Sequence, residues 1–208
     1  AQFQRDIVPS LPDAQRYQAK LAKRGHRDLA LDAGLTGHAI AITDNTLPHY
    51  DVRTEDWPQS NPLGYAAWFR SRMRFQLALR KKAFAERERI SASVDEIPDY
   101  KVKTPLQRVI QLLKRHRDCM FVHDCEHKPI SIIITTLAAH AYNEEPTIAG
   151  ALQSILTGMD RFIEDRSGTA WVANPVNPAE NFADKWAEVP RKRDSFYRWL
   201  DQARQDFA

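Results

Sequence analysis

The sequence predicts an α+β protein in which helices dominate. Two early segments, residues 3–13 (FQRDIVPSLPD) and 38–44 (HAIAITD), show the alternation or the β-branched residues of short strands. From Ser60 onward, apolar residues recur instead with a period near 3.6, as in amphipathic helices. Residues 131–142 are apolar nearly all round, which predicts a central buried helix.

Composition indicates a globular chain without a strongly charged character. The 208 residues are 43% hydrophobic and 27% charged, enough for a sizeable core. Lys and Arg exceed Asp and Glu by 30 − 27 = 3, too few to indicate nucleic acid or lipid as a partner. Two cysteines are too few to stabilise a chain of this length by disulfides. No apolar run is long enough to span a bilayer. We therefore predict a cytoplasmic protein with no membrane partner.

The first predicted strand carries Asp6 and stops at Pro9 and Pro12. A polar segment of weak periodicity separates it from the second strand, and two isolated strands make no stable sheet. Because the strand pattern begins almost at Ala1, we expect the chain to be the later part of a longer polypeptide. On local grounds alone, Asp6 has a structural alternative, since an Asp before a Pro-bearing turn can bind backbone N–H groups.

Helix starts are marked by capping residues followed by proline. Asn61 before Pro62 predicts the start of one long helix that runs to about Ile90. Thr104 before Pro105 predicts the next helix in the same way. The inward face of this second helix is expected to hold Leu106, Val109, Ile110, Leu113 and either Cys119 or Met120.

Later elements follow the same signals. Thr147 predicts a helix that ends near Gly168, and a last helix is expected from about Asp194. Between them, residues 174–186 (NPVNPAENFADKW) contain two Asn-Pro steps, which force a rigid bend because proline restricts its own φ and its neighbour's conformation. Asn174 and Asn181 either complete local turns or place polar groups near a base or ribose; the sequence favours the turns.

Lys114 and Ser131 form the strongest candidate site. Lys114 lies beside the apolar face of its helix, and Ser131 lies in the first turn of the next helix, after Pro129. An ammonium, a hydroxyl and free backbone N–H groups at a positive helix end suit a polyphosphate. The alternative is that Lys114 extends to water and that Ser131 only caps its helix.

Four potential zinc ligands also lie within nine residues: Cys119, His123, Cys125 and His127. Their spacing, C-x3-H-x-C-x-H, is not that of a common zinc finger and argues against a metal site. Basic residues gather in two further groups, residues 101–117 and 191–193. A solvated helix face is the simplest interpretation of most of them.

Three segments resemble a known enzyme family: residues 104–118 (TPLQRVIQLLKRHRD), 128–139 (KPISIIITTLAA) and 174–186. In this order they resemble the helical domain of oligoadenylate synthetases, poly(A) polymerases and bacterial cyclic-GMP-AMP-synthase-like enzymes. The last group, the CD-NTases of cyclic-oligonucleotide antiphage signalling (CBASS), is the most similar. The resemblance implies that residues 1–60 end a nucleotidyltransferase palm sheet and that residues 61–208 form a helical nucleotide-binding domain.

The resemblance also implies residue roles and partners. Lys114 and Ser131 would hold the triphosphate of an incoming nucleotide, and Asp6 would be a catalytic carboxylate that binds Mg2+ or Mn2+. No Gly-Ser helix start and no Asp-x-Asp strand precede Asp6, and the family takes its other metal ligands from them. The implied partners are nucleoside triphosphates, the missing N-terminal catalytic segment, and regulatory or effector proteins, with no specific DNA. We therefore expect the 208-residue chain to be inactive alone.

The implied reaction is attack of a 3′ or 2′ hydroxyl on an α-phosphate, with pyrophosphate leaving, to make a cyclic oligonucleotide messenger in phage defence. Two alternatives from other classes stay open. One is a non-catalytic nucleotide- or RNA-binding helical module that uses the basic residues of 101–117. The other is a helical interaction domain in which Lys114 and Ser131 contact only water.

Overall fold

The computed structural model describes residues 10–44, 46, 50, 52, 54, 57–89 and 96–208. Asp6 and most of the first predicted strand lie outside these residues. The chain divides into two compact units: the first holds the described residues up to Trp68 together with Pro175–Ala179, and the second holds Phe69–Asn174 with Glu180–Ala208. The domain division predicted at residue 60 stays a prediction.

The first unit contains a three-stranded antiparallel sheet in the order β1-β2-β3. Its strands are β1 (Ser10–Pro12), β2 (Ile40–Ile42) and β3 (Gln59–Ser60). Leu11 lies opposite Ala41. The predicted strand in residues 38–44 is confirmed, but β3 was not predicted, because two residues are too few to show an alternating pattern.

The polar segment between β1 and β2 forms three short helices: α1 (Ala14–Lys23), α2 (Arg27–Leu31) and α3 (Ala33–Thr36). They bury a small core that contains Tyr17 and Leu21, which lie four residues apart on one face of α1. This spacing was the available sequence signal, although polar residues surround it. The Tyr17 hydroxyl also donates a hydrogen bond to the carbonyl of Val176, 2.7 Å away.

The long helix predicted for residues 61–90 is wrong as one element. The structure has two helices, α4 (Pro62–Ser71) and α5 (Arg74–Glu88). The predicted cap is confirmed, since Asn61 Oδ1 accepts a hydrogen bond from the N–H of Gly64 at 2.9 Å. The sequence therefore predicted the start of α4 correctly but did not predict the break between α4 and α5.

The break between α4 and α5 has a tertiary cause. The carboxylate of Glu144 accepts hydrogen bonds from the N–H groups of Phe75 and Gln76, both at 3.1 Å, and so satisfies free donors at the start of α5. Beside the break, the Arg72 guanidinium donates to the carbonyls of Ala139 and Tyr142. These partners lie almost 70 residues away in sequence, so no local pattern could indicate them.

The second unit is built around α6 (Pro105–Met120), α7 (Ser131–Ala141), α8 (Ile148–Gly158) and α10 (Pro190–Asp206). Helix α7 is central and largely buried, as predicted. The largest core side chains from these helices are Leu106, Leu113, Ile133, Ile134, Leu137, Ile155, Phe196 and Trp199. Among the described residues, no helix combines the length and the apolar character that a bilayer crossing requires.

Helix α6 begins as the sequence predicts. The Thr104 hydroxyl accepts a hydrogen bond from the N–H of Gln107, and the Gln107 side chain accepts one from the N–H of Thr104, which makes a capping box. The predicted inward face is confirmed from Leu106 to Leu113. At its end Cys119 is exposed and Met120 is half-buried, so Cys119 is not a core residue.

The helix predicted from Thr147 to Gly168 is too long. The Thr147 cap is confirmed, but α8 ends at Gly158 and a 3-10 turn follows (Met159–Phe162). Residues 164–171 then form a hairpin of β4 (Glu164–Arg166) and β5 (Thr169–Trp171). Its two-residue turn has φ of 55° and 82°, the positive values that a type I′ turn requires.

The two Asn-Pro steps build a second hairpin, in which β6 (Ala173–Asn174) pairs with β7 (Asn177–Asn181). Helix α9 (Lys185–Glu188) follows. Helix α10 then begins at Pro190, four residues before the predicted start at Asp194, because proline is well suited to the first turn of a helix.

Asn181 has a structural role in this hairpin. Its Oδ1 accepts hydrogen bonds from the N–H groups of Val172 and Ala183, at 2.8 and 2.9 Å, and its Nδ2 donates to the carbonyl of Ala170 at 3.0 Å. Asn174 Nδ2 donates to the Glu180 carboxylate at 2.7 Å. The prediction of a local turn role is therefore confirmed for Asn181. For Asn174, which contacts a side chain in this hydrogen bond, it stays a prediction.

We expect Asn181→Ala to lower the free energy of unfolding by about 1–3 kcal/mol, because it leaves partly buried backbone donors without an acceptor. Urea unfolding followed by circular dichroism measures the change. Asn177→Ala is the matched control, since Asn177 lies in the same strand, β7, and makes no side-chain hydrogen bond within the described part of the chain. Equal midpoints for the two variants would contradict the assigned role of Asn181.

Candidate functional site

A cleft of about 530 Å³ runs along α6 in the second unit, and Lys114 lies on its wall. Its polar lining comes mainly from α6, with contributions from α7 and from the segment before α6. The polar residues of the lining are Asp99, Tyr100, Lys103, Gln107, Gln111, Lys114 and Thr135. The Asp99 carboxylate is already paired with Arg70 and Lys81. Two lysines and several hydrogen-bonding side chains therefore face one opening, which suits an anionic ligand with polar groups.

Lys114 is half-buried, and none of the described residues balances its charge. Burial lowers the pKa of its ammonium, and the positive charge of nearby Arg117 lowers it further. Within the described part of the chain, Lys114 makes no ion pair or hydrogen bond through its ammonium. An anion in the cleft would raise the pKa of Lys114 against both influences, because an opposite charge favours the protonated lysine.

Arg117, one turn after Lys114, joins α6 to the start of α7. The Arg117 side chain is only 7% exposed. Its Nη1 donates to the Ser131 hydroxyl at 3.0 Å and to the Pro129 carbonyl at 2.9 Å. Its Nε and Nη2 donate to Asp118 Oδ1 at 3.1 and 2.8 Å. The guanidinium therefore holds Ser131 in a defined orientation next to the helix that carries Lys114.

The Asp118 carboxylate forms ion pairs with Arg117 and Lys128 rather than with Lys114. Slight burial opposes ionisation of this carboxyl, but hydrogen bonds from Arg117 and Lys128 outweigh it and hold its pKa below the usual range. Asp118 Oδ1 lies 2.8 Å from Arg117 Nη2 and 3.3 Å from Lys128 Nζ. Asp118 thus neutralises Arg117, whereas Lys114 has no such partner in the part of the chain that the structure describes.

Ser131 does not cap its own helix, so that alternative is wrong. It is the first residue of α7, and the capping position falls on Ile130, whose side chain cannot accept a hydrogen bond. The first backbone N–H groups of α7 therefore have no side-chain acceptor among the residues that the structure describes. They remain available to a ligand, as at other anion-binding helix ends.

The two predicted residues, Lys114 and Ser131, lie on the neighbouring helices α6 and α7. Arg117 connects these helices through its hydrogen bond to Ser131. The structure also shows that Thr135 rather than Ser131 contributes to the cleft wall beside Lys114. Thr135 lies one turn after Ser131, and its hydroxyl donates to the Ser131 carbonyl at 2.8 Å. Thr135 and Arg117 were not predicted as site residues. Their spacings, four residues after Ser131 and three residues after Lys114, were the available sequence signals.

Potential metal ligands do not come together in the described part of the chain. No group of three or more His, Cys, Asp or Glu side chains there could hold a metal ion. His127 Nδ1 lies 2.7 Å from Asp124 Oδ1, and Cys125 Sγ contacts the carbonyl of Phe121. The described residues therefore fit neither zinc nor magnesium, and Asp6, which lies outside them, stays a predicted metal ligand.

The basic residues of 101–117 separate into two kinds. Lys101, Lys103, Arg108 and Arg115 are exposed, whereas Lys114 is half-buried and Arg117 is buried. An exposed set of cations is typical of a solvated surface. Of these six residues, only Lys114 and Arg117 combine charge with burial, the combination expected of a functional site.

Comparison with known proteins gives two relatives, and no protein-family profile matches the chain. The chain is 34% identical over 160 residues to a "c-di-GMP synthase" of Roseivirga ehrenbergii, an alignment that covers 76% of this chain and 41% of that protein. It is 26% identical over 174 residues to the "Cyclic dinucleotide synthase CdnG" of Bradyrhizobium diazoefficiens, covering 76% and 42%. The chain thus spans about two fifths of the length of these curated relatives.

A solved structure shares the fold. The Bradyrhizobium diazoefficiens CD-NTase CdnG, solved in complex with GTP, superposes with a TM-score of 0.57 at 23% identity. The superposition covers 82% of this chain and 52% of that one. It supports the predicted α+β, mostly helical class. The evidence for the family is the sequence match to the Roseivirga protein, at 34% identity over 76% of this chain. The chain therefore belongs to the bacterial CD-NTase family.

Proposed function

We propose that the protein carrying this chain is a nucleotidyltransferase that makes a cyclic dinucleotide from nucleoside triphosphates. Both curated relatives are named as synthases of cyclic dinucleotides, and the solved relative holds GTP. In this chain, the supporting observation is Lys114, a half-buried cation on a cleft wall with no counter-charge in the described residues. A triphosphate supplies that counter-charge, and the partial burial strengthens the attraction.

Ser131 is proposed to donate a hydrogen bond to the same triphosphate. Its oxygen already accepts a hydrogen bond from Arg117 Nη1. A hydroxyl that accepts in this way keeps its own proton free to donate, and phosphate oxygens are strong acceptors. The free N–H groups at the start of α7 add donors of the same kind.

Lys114 has a further role in the proposed reaction. When a hydroxyl attacks the α-phosphate, negative charge develops on the departing pyrophosphate. A fixed ammonium beside that group stabilises the charge as it forms, without reorganising solvent. Lys114 is therefore proposed both to bind the nucleotide and to lower the barrier to transfer.

Asp6 is proposed as a catalytic carboxylate and a ligand of Mg2+ or Mn2+. Such ions neutralise the charge of the transferred phosphate when they are bound. Because the described residues form no metal site, the steps proposed here rest on Lys114, Ser131 and Arg117 alone. Phage defence, cytoplasmic location and regulatory or effector partners are part of the same proposal and rest on the family resemblance.

Incubation of the intact protein with labelled nucleoside triphosphates and Mg2+ tests the proposed activity. We expect a cyclic dinucleotide, identified by mass spectrometry, with release of pyrophosphate. We expect no nucleotide incorporation by the isolated 208-residue chain, because phosphoryl transfer needs several converging carboxylates. Turnover by the isolated chain would refute that second expectation, and an intact protein that forms no cyclic dinucleotide would refute the first.

A non-catalytic RNA-binding module is the second candidate, and the four exposed cations Lys101, Lys103, Arg108 and Arg115 favour it. The salt dependence of binding separates the two candidates. RNA affinity falls steeply with salt because each phosphate contact releases counterions, whereas one nucleotide contacts few cations and loses much less. Tight RNA binding with a steep salt slope, without nucleotide binding, would favour the module over the enzyme.

A further inference from the structure

We propose that Tyr100 stacks on the base of the nucleotide whose triphosphate contacts Lys114, and that Asp99 positions Tyr100 for this contact. The inference rests on the proposed nucleotide binding and adds the residue that recognises the base. The cleft would then bind phosphates at Lys114 and the base at Tyr100, and both residues lie within the second unit.

Tyr100 has the exposure and the place that such a residue needs. It is 78% exposed and lies on the wall of the same cleft as Lys114. Its ring packs against no other aromatic ring among the described residues; its neighbour is Lys101 Nζ, 5.6 Å from the ring centroid. A tyrosine this exposed contributes little to the core, whereas its face offers a surface for stacking with any base.

Asp99 fixes the backbone from which Tyr100 extends. Its Oδ2 lies 2.8 Å from Arg70 Nε on α4, and its Oδ1 lies 2.8 Å from Lys81 Nζ on α5. Both carboxylate oxygens are therefore engaged, and the Lys81 side chain is only 11% exposed. These two ion pairs join the 3-10 turn Asp99–Lys101 to two helices, so the position of Tyr100 is preorganised.

The spacing along α6 matches a ligand with two different ends. Gln107, Gln111 and Lys114 all line the cleft, at positions i, i+4 and i+7 of one helix face. At a rise of 1.5 Å per residue, Gln107 and Lys114 are about 10 Å apart along the helix axis. Tyr100 comes from the segment that leads into the start of α6, whereas Lys114 lies two turns further along. A nucleotide can bridge this distance with its base at one end and its phosphates at the other.

Two ligands separate base recognition from phosphate recognition: a nucleoside triphosphate, and inorganic tripolyphosphate, which has no base. Isothermal titration calorimetry with the intact protein measures the affinity for each. We expect Tyr100→Ala to weaken nucleoside triphosphate binding about 10-fold and to leave tripolyphosphate binding unchanged. Tyr100→Phe, which keeps the aromatic face, should restore the affinity and also shows that the position tolerates substitution.

Asp99→Asn tests the positioning role, because it keeps the shape of the side chain and removes its charge. If charge alone mattered, removing an acidic group near an anion site would strengthen the binding of both ligands. We instead expect nucleoside triphosphate affinity to fall several-fold, about as for Tyr100→Ala, with tripolyphosphate binding equal or tighter. Stronger nucleoside triphosphate binding in Asp99→Asn would overturn the positioning role.

The outcomes distinguish this inference from the proposed function. If Tyr100→Ala leaves nucleoside triphosphate affinity unchanged, or weakens both ligands equally, the stacking role is wrong. If Lys114→Ala leaves both affinities unchanged, the proposed nucleotide site is wrong. Loss of both ligands in Lys114→Ala, together with an unchanged Tyr100→Ala, would reject only the stacking role.

Discussion

Replacing Lys114 with alanine should weaken nucleoside triphosphate binding by about 10- to 100-fold, the range expected for losing one charged hydrogen bond to phosphate. Turnover of the intact protein should fall by at least as much, because the same ammonium faces charge that develops on the leaving group. Calorimetry with the nucleotide and initial rates of pyrophosphate release measure the two effects.

Lys114→Ala should not lower the free energy of unfolding. Burial and Arg117 hold the pKa of Lys114 below its usual value, so the folded state disfavours the charged lysine. A lysine with a depressed folded-state pKa costs stability while it is protonated in both states, and this cost disappears as the pH rises from the folded-state pKa to the ordinary lysine pKa. At neutral pH, Lys114→Ala is therefore expected to unfold at the same or a higher urea concentration than the parent protein.

Arg115→Ala is the matched control for Lys114→Ala. Arg115 is the next residue of α6, carries the same charge, is exposed, and lies outside the cleft wall. Removing it should change nucleotide affinity by no more than about 2-fold, since exposed charges are screened by solvent and salt. Equal losses in the two variants would show a general charge effect and remove Lys114 from the proposed site.

Replacing Arg117 with alanine should lower the free energy of unfolding by about 2–4 kcal/mol. The substitution removes four hydrogen bonds and leaves the buried carbonyl of Pro129 without its donor. It also releases Ser131, so residual nucleotide binding should be weaker than in the parent protein. Urea unfolding followed by circular dichroism gives the change in stability.

Two further variants define the role of Arg117. Arg117→Lys keeps the charge but cannot reproduce the planar fork that reaches Asp118, Pro129 and Ser131 together, so an intermediate loss is expected. Arg108→Ala, at an exposed position of the same helix, should change stability by less than about 0.5 kcal/mol. An unfolding midpoint for Arg117→Ala equal to that of Arg108→Ala would contradict the structural role of Arg117.

Helix starts were predictable because each depends on residues that are close in sequence. Asn61, Thr104 and Thr147 each accept a hydrogen bond from an N–H three residues later. The burial of α7 was predictable for a similar reason, since residues 131–142 are apolar nearly all round. Lys114 and Ser131 were identified through motif resemblance, and their proposed roles stay predictions.

Errors in the sequence analysis arose where distant residues decide the conformation. An uninterrupted helical pattern could not reveal the Glu144 carboxylate that starts α5. Likewise, apolar spacing through Ile163 suggested a continued helix, although the chain turns into the hairpin at Ser167 and Gly168. In both cases tertiary contacts or turn geometry prevailed over a local pattern, because helix propensity is a weak preference.

The sequence by itself determined the caps, the buried central helix and the family to which the chain belongs, because these depend on residue types at short, fixed spacings. Only the tertiary structure decided which charges are neutralised. Asp118 and Lys128 surround Arg117, whereas Lys114 is half-buried without an acidic partner in the described residues. Charge balance depends on which side chains meet in three dimensions and on how far water is excluded, and neither quantity can be read from spacing along the chain.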